Sequence, residues 1–199
     1  IKASKKILFD GDNYTQEWAE EAKKRGLPNI KKSIVAFEAL KLKSTEKAFE
    51  GILTNEELHS RYDIMAEIYS HNANIETKLM VDIFRTQVLP AAIKQQQELA
   101  TSVNSFIEAI GSSKAISAQK KRLEGFAAAI EKSMELCDAL EKLRAHAENQ
   151  TDLEKRGKEF CDKVLSKGEE LREIVDWLES HVDDTIWPLP KYRELLFLV

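Results

Sequence analysis

Apolar and small residues recur every three or four positions from 58 to 110, which is the spacing of one face of a helix. A capping box precedes them, in which Thr54 and Glu57 can each bond a backbone amide of the first turn. Pro90 removes one amide donor from the middle of the stretch. The pattern therefore predicts a long helix that begins at Thr54, kinks near Pro90 and ends before Gly111. Its repeating positions are Leu58, Tyr62, Met65, Tyr69, Asn72, Ile75, Leu79, Ile83, Thr86, Leu89, Ile93, Gln96, Ala100, Val103, Ile107 and Ile110.

Two more helices are predicted downstream. The first begins at Lys114 or Ser117 and ends near His146. A second capping box, formed by Thr151 and Glu154, begins the other helix. The loop between the two is short, so we expect them to pack antiparallel. The last helix carries a heptad seam made of Leu153, Gly157, Phe160, Val164, Lys167, Leu171, Ile174 and Leu178.

The N-terminal part has a different pattern. Residues 5–9 are the one convincing strand candidate, and they end at a turn. A helix is predicted over 14–25, capped by Asp12 or Asn13 and stopped by Gly26. Short helices should follow over 33–42 and 45–49, the second stopping at Gly51.

The C-terminal tail contains two prolines that favour an extended chain over 186–192. We expect Trp187 and Tyr192 to pack on the domain's own helices. Residues 195–199 are all apolar and are expected to serve a partner surface.

The predicted fold class is all-α. We expect an elongated bundle of long antiparallel helices over 54–199, and a smaller region over 1–53 with the strand-like segment and the short helices.

Composition agrees with long helices, because the 199 residues include only 7 Gly and 4 Pro. A net charge of −4 without a basic, aromatic-rich stretch argues against nucleic-acid binding. Two cysteines exclude a disulfide framework or a Cys-based zinc ribbon. No apolar run is long enough to span a bilayer and no secretory signal is evident, so we expect a cytoplasmic protein without a membrane partner. Because Ile1 stands where Met would begin a chain, a processed product or a piece of a longer protein is expected.

The spacing of Glu56 and His59 is that of the Glu-x-x-His motif in di-iron bundles. Such sites need two copies of the motif, and no second copy occurs, so we interpret both residues as solvated. Glu76 and Asp82 lie nearly on one side of the long helix and are expected to have salt-bridge or surface roles.

The two cysteines, Cys137 and Cys161, are expected to be small buried or half-buried side chains. No phosphate-loop, dinucleotide, zinc-protease or nucleophile-elbow motif occurs. We therefore predict no catalytic, cofactor-binding or metal-ligating residue in this chain.

Three blocks of residues, in order along the chain, go beyond helical pattern. The first block is Asp10-Gly11-Asp12-Asn13-Tyr14 with Glu17-Trp18 and Arg25-Gly26-Leu27-Pro28-Asn29. The second is Asn74-Ile75-Glu76 with Met80, Asp82 and Val88-Leu89-Pro90-Ala91-Ala92-Ile93. The third is Trp187-Pro188-Leu189-Pro190-Lys191-Tyr192-Arg193-Glu194-Leu195-Leu196-Phe197. Together they resemble the C-terminal region of type III glutamine synthetases.

The resemblance implies a parent enzyme that makes glutamine from glutamate, ammonia and ATP with a divalent metal such as Mg²⁺. The family's catalytic motifs lie on a preceding β-rich region and have no match here. The chain would then be a non-catalytic domain that joins the catalytic region through residues 1–53. It would support subunit packing, with that region and neighbouring subunits of a homo-oligomer as partners.

Two alternatives remain open at this point. The chain could be a free-standing cytosolic helical adaptor that binds a partner protein through an exposed apolar stripe. It could also be a di-metal bundle enzyme, which metal analysis would detect.

Overall fold

The computed structural model of the chain describes residues 2–111 and 114–196. These residues form helices and turns, and no strand occurs among them. The chain divides into two compact units, Ile1–Met65 and Ala66–Val199. The all-α prediction is confirmed, and each unit is described in turn.

The first unit begins with a 3-10 helix, Lys2–Ile7, so the strand predicted over 5–9 is wrong. A strand needs a neighbour to satisfy its backbone, and none is present among the described residues. Instead, Nη1 of Arg25 donates to the carbonyl oxygens of Lys6 and Leu8, at 3.3 and 2.6 Å. Phe9 stacks on Trp18 with ring centroids 4.8 Å apart.

The first regular helix, α1 (Gln16–Lys24), confirms the helix predicted over 14–25. Its N-cap is Thr15, whose hydroxyl accepts from the Trp18 amide, rather than Asp12 or Asn13. Asp12 caps the preceding turn instead, since its side chain accepts from the Tyr14 amide at 2.9 Å.

Short helices complete this unit: α2 (Ser33–Phe37), a 3-10 turn (Glu38–Lys41) and α3 (Lys43–Ala48). Gly26 and Gly51 follow helical segments at φ 69° and 78°, left-handed values that favour glycine. The capping box is confirmed: the Thr54 amide donates to Glu57 at 2.7 Å, and the Glu57 amide donates to Thr54 Oγ1 at 3.2 Å. It begins α4 (Asn55–Ile83), which continues into the second unit.

At the place of the predicted kink the structure has a π-helical turn, Phe84–Val88, between α4 and α5 (Leu89–Ile110). The Leu89 amide bonds the carbonyl of Phe84, five residues back. Pro90 explains this turn, because it has no amide for the Thr86 carbonyl and its ring would clash there. Gly111 caps α5 at φ 69°.

Helix α6 (Ser117–Glu148) is followed by α7 (Leu153–Glu159), a second π turn (Phe160–Val164) and α8 (Leu165–His181). Asp152 caps α7 by accepting from the Lys155 amide at 3.0 Å, so the capping box expected at Thr151 is wrong. A last short helix, α9, covers Tyr192–Leu195.

The core of the second unit lies where α6 packs on α8 and on α5. Aromatic and branched side chains fill it, and Phe126, Leu140, Val164 and Leu171 are fully buried. The predicted heptad seam is confirmed at most positions but fails at Lys167, which is half-exposed and pairs with Glu170. Gly168 is buried there instead, and the later seam residues Leu171 and Leu178 are buried as predicted.

The buried face of α4 is the feature that differs most from the sequence prediction. Within the second unit its buried positions are mostly small residues. Several larger residues of the predicted stripe, among them Asn72, Ile75 and Leu79, are exposed. The buried face of α4 in this unit consists of Ala66, Ser70, Ala73, Thr77 and Val81.

Candidate functional site

An apolar groove of about 440 Å³ lies in the second unit between α4, α8 and the C-terminal tail. We call it the tail groove. Its apolar lining is provided by Leu79, Met80, Ile83, Phe84, Val88, Leu171, Val175, Trp187, Leu189 and Pro190. The π turn after α4 contributes Phe84 and Val88 to it, so the irregularity at Pro90 shapes the groove. A groove with this lining is suited to an apolar side chain or a short apolar segment.

The tail forms one wall of the groove. Trp187 is buried, and its indole Nε1 has no hydrogen-bond partner among the described residues. Gln95, itself buried on α5, accepts a hydrogen bond of 2.8 Å from the Asp183 amide through Oε1. Lys191 then bonds the Val182 carbonyl at 3.3 Å and pairs with Asp184 at 2.6 Å. These contacts confirm local packing for Trp187.

The rim of the groove carries more acidic than basic side chains. Arg172 pairs with Asp176 on α8 at 3.4 Å. Glu76 on α4 and Glu179 on α8 have neither a hydrogen-bond nor an ion-pair partner in the part of the chain that the structure describes. The groove is therefore apolar inside with a net negative rim.

A polar junction joins α4 to α6. Nη1 of Arg144 donates to Asn74 Oδ1 at 2.8 Å and to Glu148 at 2.9 Å. The Asn74 amide nitrogen donates to the other Glu148 oxygen at 3.0 Å, which closes the triangle. These hydrogen bonds, that of Asn74 first, lower the pKa of Glu148. The junction fixes the register of α4 on α6.

Beside this junction lies a smaller polar cavity of about 130 Å³. Its lining includes Arg156, whose Nε is buried without a hydrogen-bond partner among the described residues. The other lining residues are Glu67, Ser70, His71, Asn74, Glu148 and Phe160. A space of this size admits a few water molecules, which the polar lining can bond.

The candidate Glu56 and His59 pair does not form a metal site. His59 lies 3.8 Å from Glu46 on α3, and both Glu56 and His59 are exposed. Across the described residues, no group of three or more His, Cys, Asp or Glu side chains is placed to hold a metal ion.

Glu76 and Asp82 are both exposed, and only Glu76 lines the tail groove. Cys137 is buried, and that burial raises the pKa of its thiol, which keeps it protonated. Cys161 is half-buried on the second π turn and hydrogen-bonds with Tyr69. Burial, together with this bond, raises the pKa of Tyr69. The positions predicted for the cysteines are therefore confirmed.

Sequence reasoning missed two features that hold the second unit together. Arg85 on the first π turn clamps α6 through Asp138 at 2.8 Å and Glu141 at 2.7 Å. Hydrogen bonds to Glu141 and then Asp138 raise the pKa of Arg85. The other missed feature is the buried Gln95. The partners of Arg85 and of Gln95 are distant in sequence, and no local sequence signal marks these contacts.

Within the described ranges, no helix is long and apolar enough to cross a membrane.

Comparison with known proteins gives a consistent result over the whole chain. The family described as the glutamine synthetase C-terminal domain matches residues 1–106. The type-3 glutamine synthetase of Dictyostelium discoideum is 34% identical over 97% of this chain and 27% of its own length. A glutamine synthetase of Butyrivibrio fibrisolvens is 32% identical over 99% of this chain and 28% of its own length. One of Bacteroides fragilis is 31% identical over the same shares.

The chain therefore spans only a little over a quarter of the length of these relatives. The family match covers just over half of the chain, including the first unit, α4 and most of α5. On this evidence, the chain belongs to the family of glutamine synthetase C-terminal domains.

Proposed function

We propose that this chain is a non-catalytic helical domain of a type III glutamine synthetase and that it supports packing between subunits. The observation that carries the proposal is the length relation. Nearly the whole chain aligns with proteins named glutamine synthetase, yet it spans 27–28% of each. The rest of such a polypeptide has room for the catalytic region.

The parent reaction in this proposal joins glutamate and ammonia at the expense of ATP in the cytoplasm. ATP and a divalent metal such as Mg²⁺ are assigned to the region outside this chain. The partners of the chain are then that region and neighbouring copies in a homo-oligomer.

The surface of the second unit supports a packing role. Large aliphatic side chains are exposed on α4 and α5, with Ile75 51% and Ile93 47% accessible. The tail groove adds an apolar concave surface, and Leu195 and Leu196 beside it in sequence are more than half exposed. A concave apolar groove together with exposed aliphatic side chains is typical of protein interfaces.

The proposal is tested by rejoining the two parts. The parent polypeptide without this domain is mixed with the separate 199-residue chain, and binding is measured by calorimetry. We expect saturable binding, which a chain with the tail groove blocked by Leu171→Arg or Val175→Arg should lose in part. Val175→Arg is the milder variant, because Leu171 is fully buried and Val175 is half-buried. A folded chain that shows no binding would contradict the packing role.

The non-catalytic part of the proposal has its own assay. The separate chain, given glutamate, ammonia, ATP and Mg²⁺, should form no glutamine, while the intact parent enzyme serves as the positive control. ATP-dependent glutamine formation by the purified chain would show that it carries catalytic residues.

A further inference from the structure

Helix α4 has apolar residues on two opposite faces in the second unit. At about 100° per residue, Ile68, Ile75 and Leu79 lie within about 40° of one another. Their side chains are 54%, 51% and 53% exposed. The small buried residues of α4, such as Ala73 and Thr77, lie about 180° away. The helix thus uses one face for its own core and leaves an aliphatic face open.

The open face has the spacing of a helix-pairing seam. Ile68, Asn72, Ile75, Leu79 and Asp82 step by four and three residues alternately, and all five are exposed. This is the heptad spacing by which one helix packs along another. We call these five residues the α4 seam.

We infer that the α4 seam pairs antiparallel with the α4 seam of a second copy of this chain. The inference rests on the proposed packing role and names one surface that performs it. The charged residues in and beside the seam favour a second copy of the chain as the partner and an antiparallel direction for the two helices.

A parallel pair would place Asp82 beside Asp82 of the second copy, with like charges in contact. In an antiparallel pair, Ile68 lies opposite Leu79 of the second copy, and Asn72 lies opposite Ile75. In this arrangement, the residues on one flank of the seam face the residues on the same flank of the second copy. Glu67 and Lys78 share a flank, and the offset that pairs Ile68 with Leu79 places Glu67 of each copy at the level of Met80 of the other, about 3 Å along the axis from Lys78 and within reach of its long side chain.

The flank charges are available for this pairing. Glu67 and Lys78 are both exposed and neither forms an ion pair among the described residues, while the charge of Lys78 acts at longer range on Glu148, whose pKa it helps to lower. Each antiparallel pair would form the Glu67–Lys78 contact twice. An unrelated partner would not need to match this self-complementary arrangement.

The contact is small. Specific stable interfaces bury about 1,200–2,000 Å², and three aliphatic side chains per copy fall short of that. We therefore expect weak, concentration-dependent association of the separate chain, which further contacts would strengthen in a larger assembly.

The experiment is sedimentation of the 199-residue chain over a wide concentration range, with helicity checked by circular dichroism for every variant. We expect dimers to form as concentration rises. Ile75→Lys should raise the dimer Kd at least about tenfold. Met134→Lys on α6 is the matched control, because Met134 is similarly exposed but lies on another helix, off the seam, and it should leave the Kd unchanged.

Charge reversal tests the pairing itself. Glu67→Lys and Lys78→Glu should each raise the Kd, because each places like charges together across the interface. The double variant restores opposite charges and should recover most of the original Kd. A chain that stays monomeric, an Ile75→Lys variant that still dimerises normally, or a double variant no better than the singles would overturn the inference. A monomeric chain that still binds the truncated parent polypeptide would overturn the inference about the α4 seam and leave the proposed function intact.

Discussion

The side-chain oxygen of Gln95 accepts a hydrogen bond of 2.8 Å from the backbone amide of Asp183, 88 residues further along the chain. Gln95 is 8% exposed and lies inside α5, whereas Asp183 begins the tail just after α8 ends. The bond turns the chain toward Trp187 and the tail groove. A buried polar side chain thus positions the segment that walls the groove.

Gln95→Leu should destabilise the domain by about 1–3 kcal/mol, because it leaves the Asp183 amide without its partner. Gln97→Leu is the matched control, since Gln97 is exposed on the same helix, and its effect should stay within about 0.5 kcal/mol. Urea unfolding of both variants measures the difference. Equal effects from the two substitutions would mean that the Gln95 bond does not hold the tail.

The polar junction should make stability depend on pH. Hydrogen bonds from Asn74 and Arg144 lower the pKa of Glu148 in the folded state. This contribution is therefore present above the pKa of an unfolded Glu and is lost as pH falls through the lower folded value. Because the Glu148 side chain is 52% exposed, we expect only a few tenths of a kcal/mol.

Glu148→Gln measures this contribution. Its destabilisation relative to the unmodified chain should be clear at pH 7 and vanish toward pH 3. Glu131→Gln, an exposed position on the same helix, should show no such trend. If the destabilisation caused by Glu148→Gln grew as the pH fell, the pKa of Glu148 would be raised rather than lowered in the folded state, contrary to this prediction.

Replacing two glycines by alanine should change the stability of the domain in opposite directions. A Cβ on Gly125, inside α6, would lie 3.7 Å from Trp177 Cη2, an ordinary contact, so Gly125→Ala should stabilise by about 0.5–1 kcal/mol. Gly111 has φ 69°, so Gly111→Ala should cost about 1 kcal/mol although nothing crowds it. Thermal and urea unfolding report both signs, and loss of stability in Gly125→Ala would show that α6 has no room against Trp177.

The tail should divide into a structural and a dispensable part. Leu195 and Leu196 are 55% and 60% exposed, so removal of 195–199 should change the melting temperature little and improve solubility. Residues 197–199 of the predicted partner surface lie outside the described residues. Removal of 187–199 should destabilise clearly, and Trp187→Ala alone should cost about 3–5 kcal/mol. Unfolding caused by the shorter deletion would place the last five residues in the core.

The sequence allowed the helices and their starts to be predicted where the signal is local. The Thr54–Glu57 capping box and the left-handed glycines Gly26 and Gly111 are examples, because neighbouring residues alone determine them. In the last helix the predicted seam fails at Lys167, three residues after the π turn that ends at Val164, where Gly168 is buried instead, while Leu171 and Leu178 keep the predicted register. Nothing in the local sequence marks that turn.

The face of α4 that enters the core also escaped prediction. Large apolar residues are usually assigned to the core, yet here Ala73 and Thr77 are buried while Ile75 is exposed. The reason is tertiary, since Asn74, next to the buried Ala73 on α4, hydrogen-bonds Arg144 on α6 and so holds this face toward the core. The tail groove could not be predicted either, because its lining comes from three separated segments.

We propose that this domain contributes assembly rather than chemistry to a parent glutamine synthetase. The most direct measurement is light scattering, which gives the mass of the assembly formed by the parent polypeptide. The intact polypeptide is compared with one that lacks this 199-residue domain. Glutamine formation per subunit is measured on the same samples. We expect a smaller assembly without the domain, and any loss of activity should follow the loss of mass. An assembly of unchanged mass that has lost its activity would contradict this proposal.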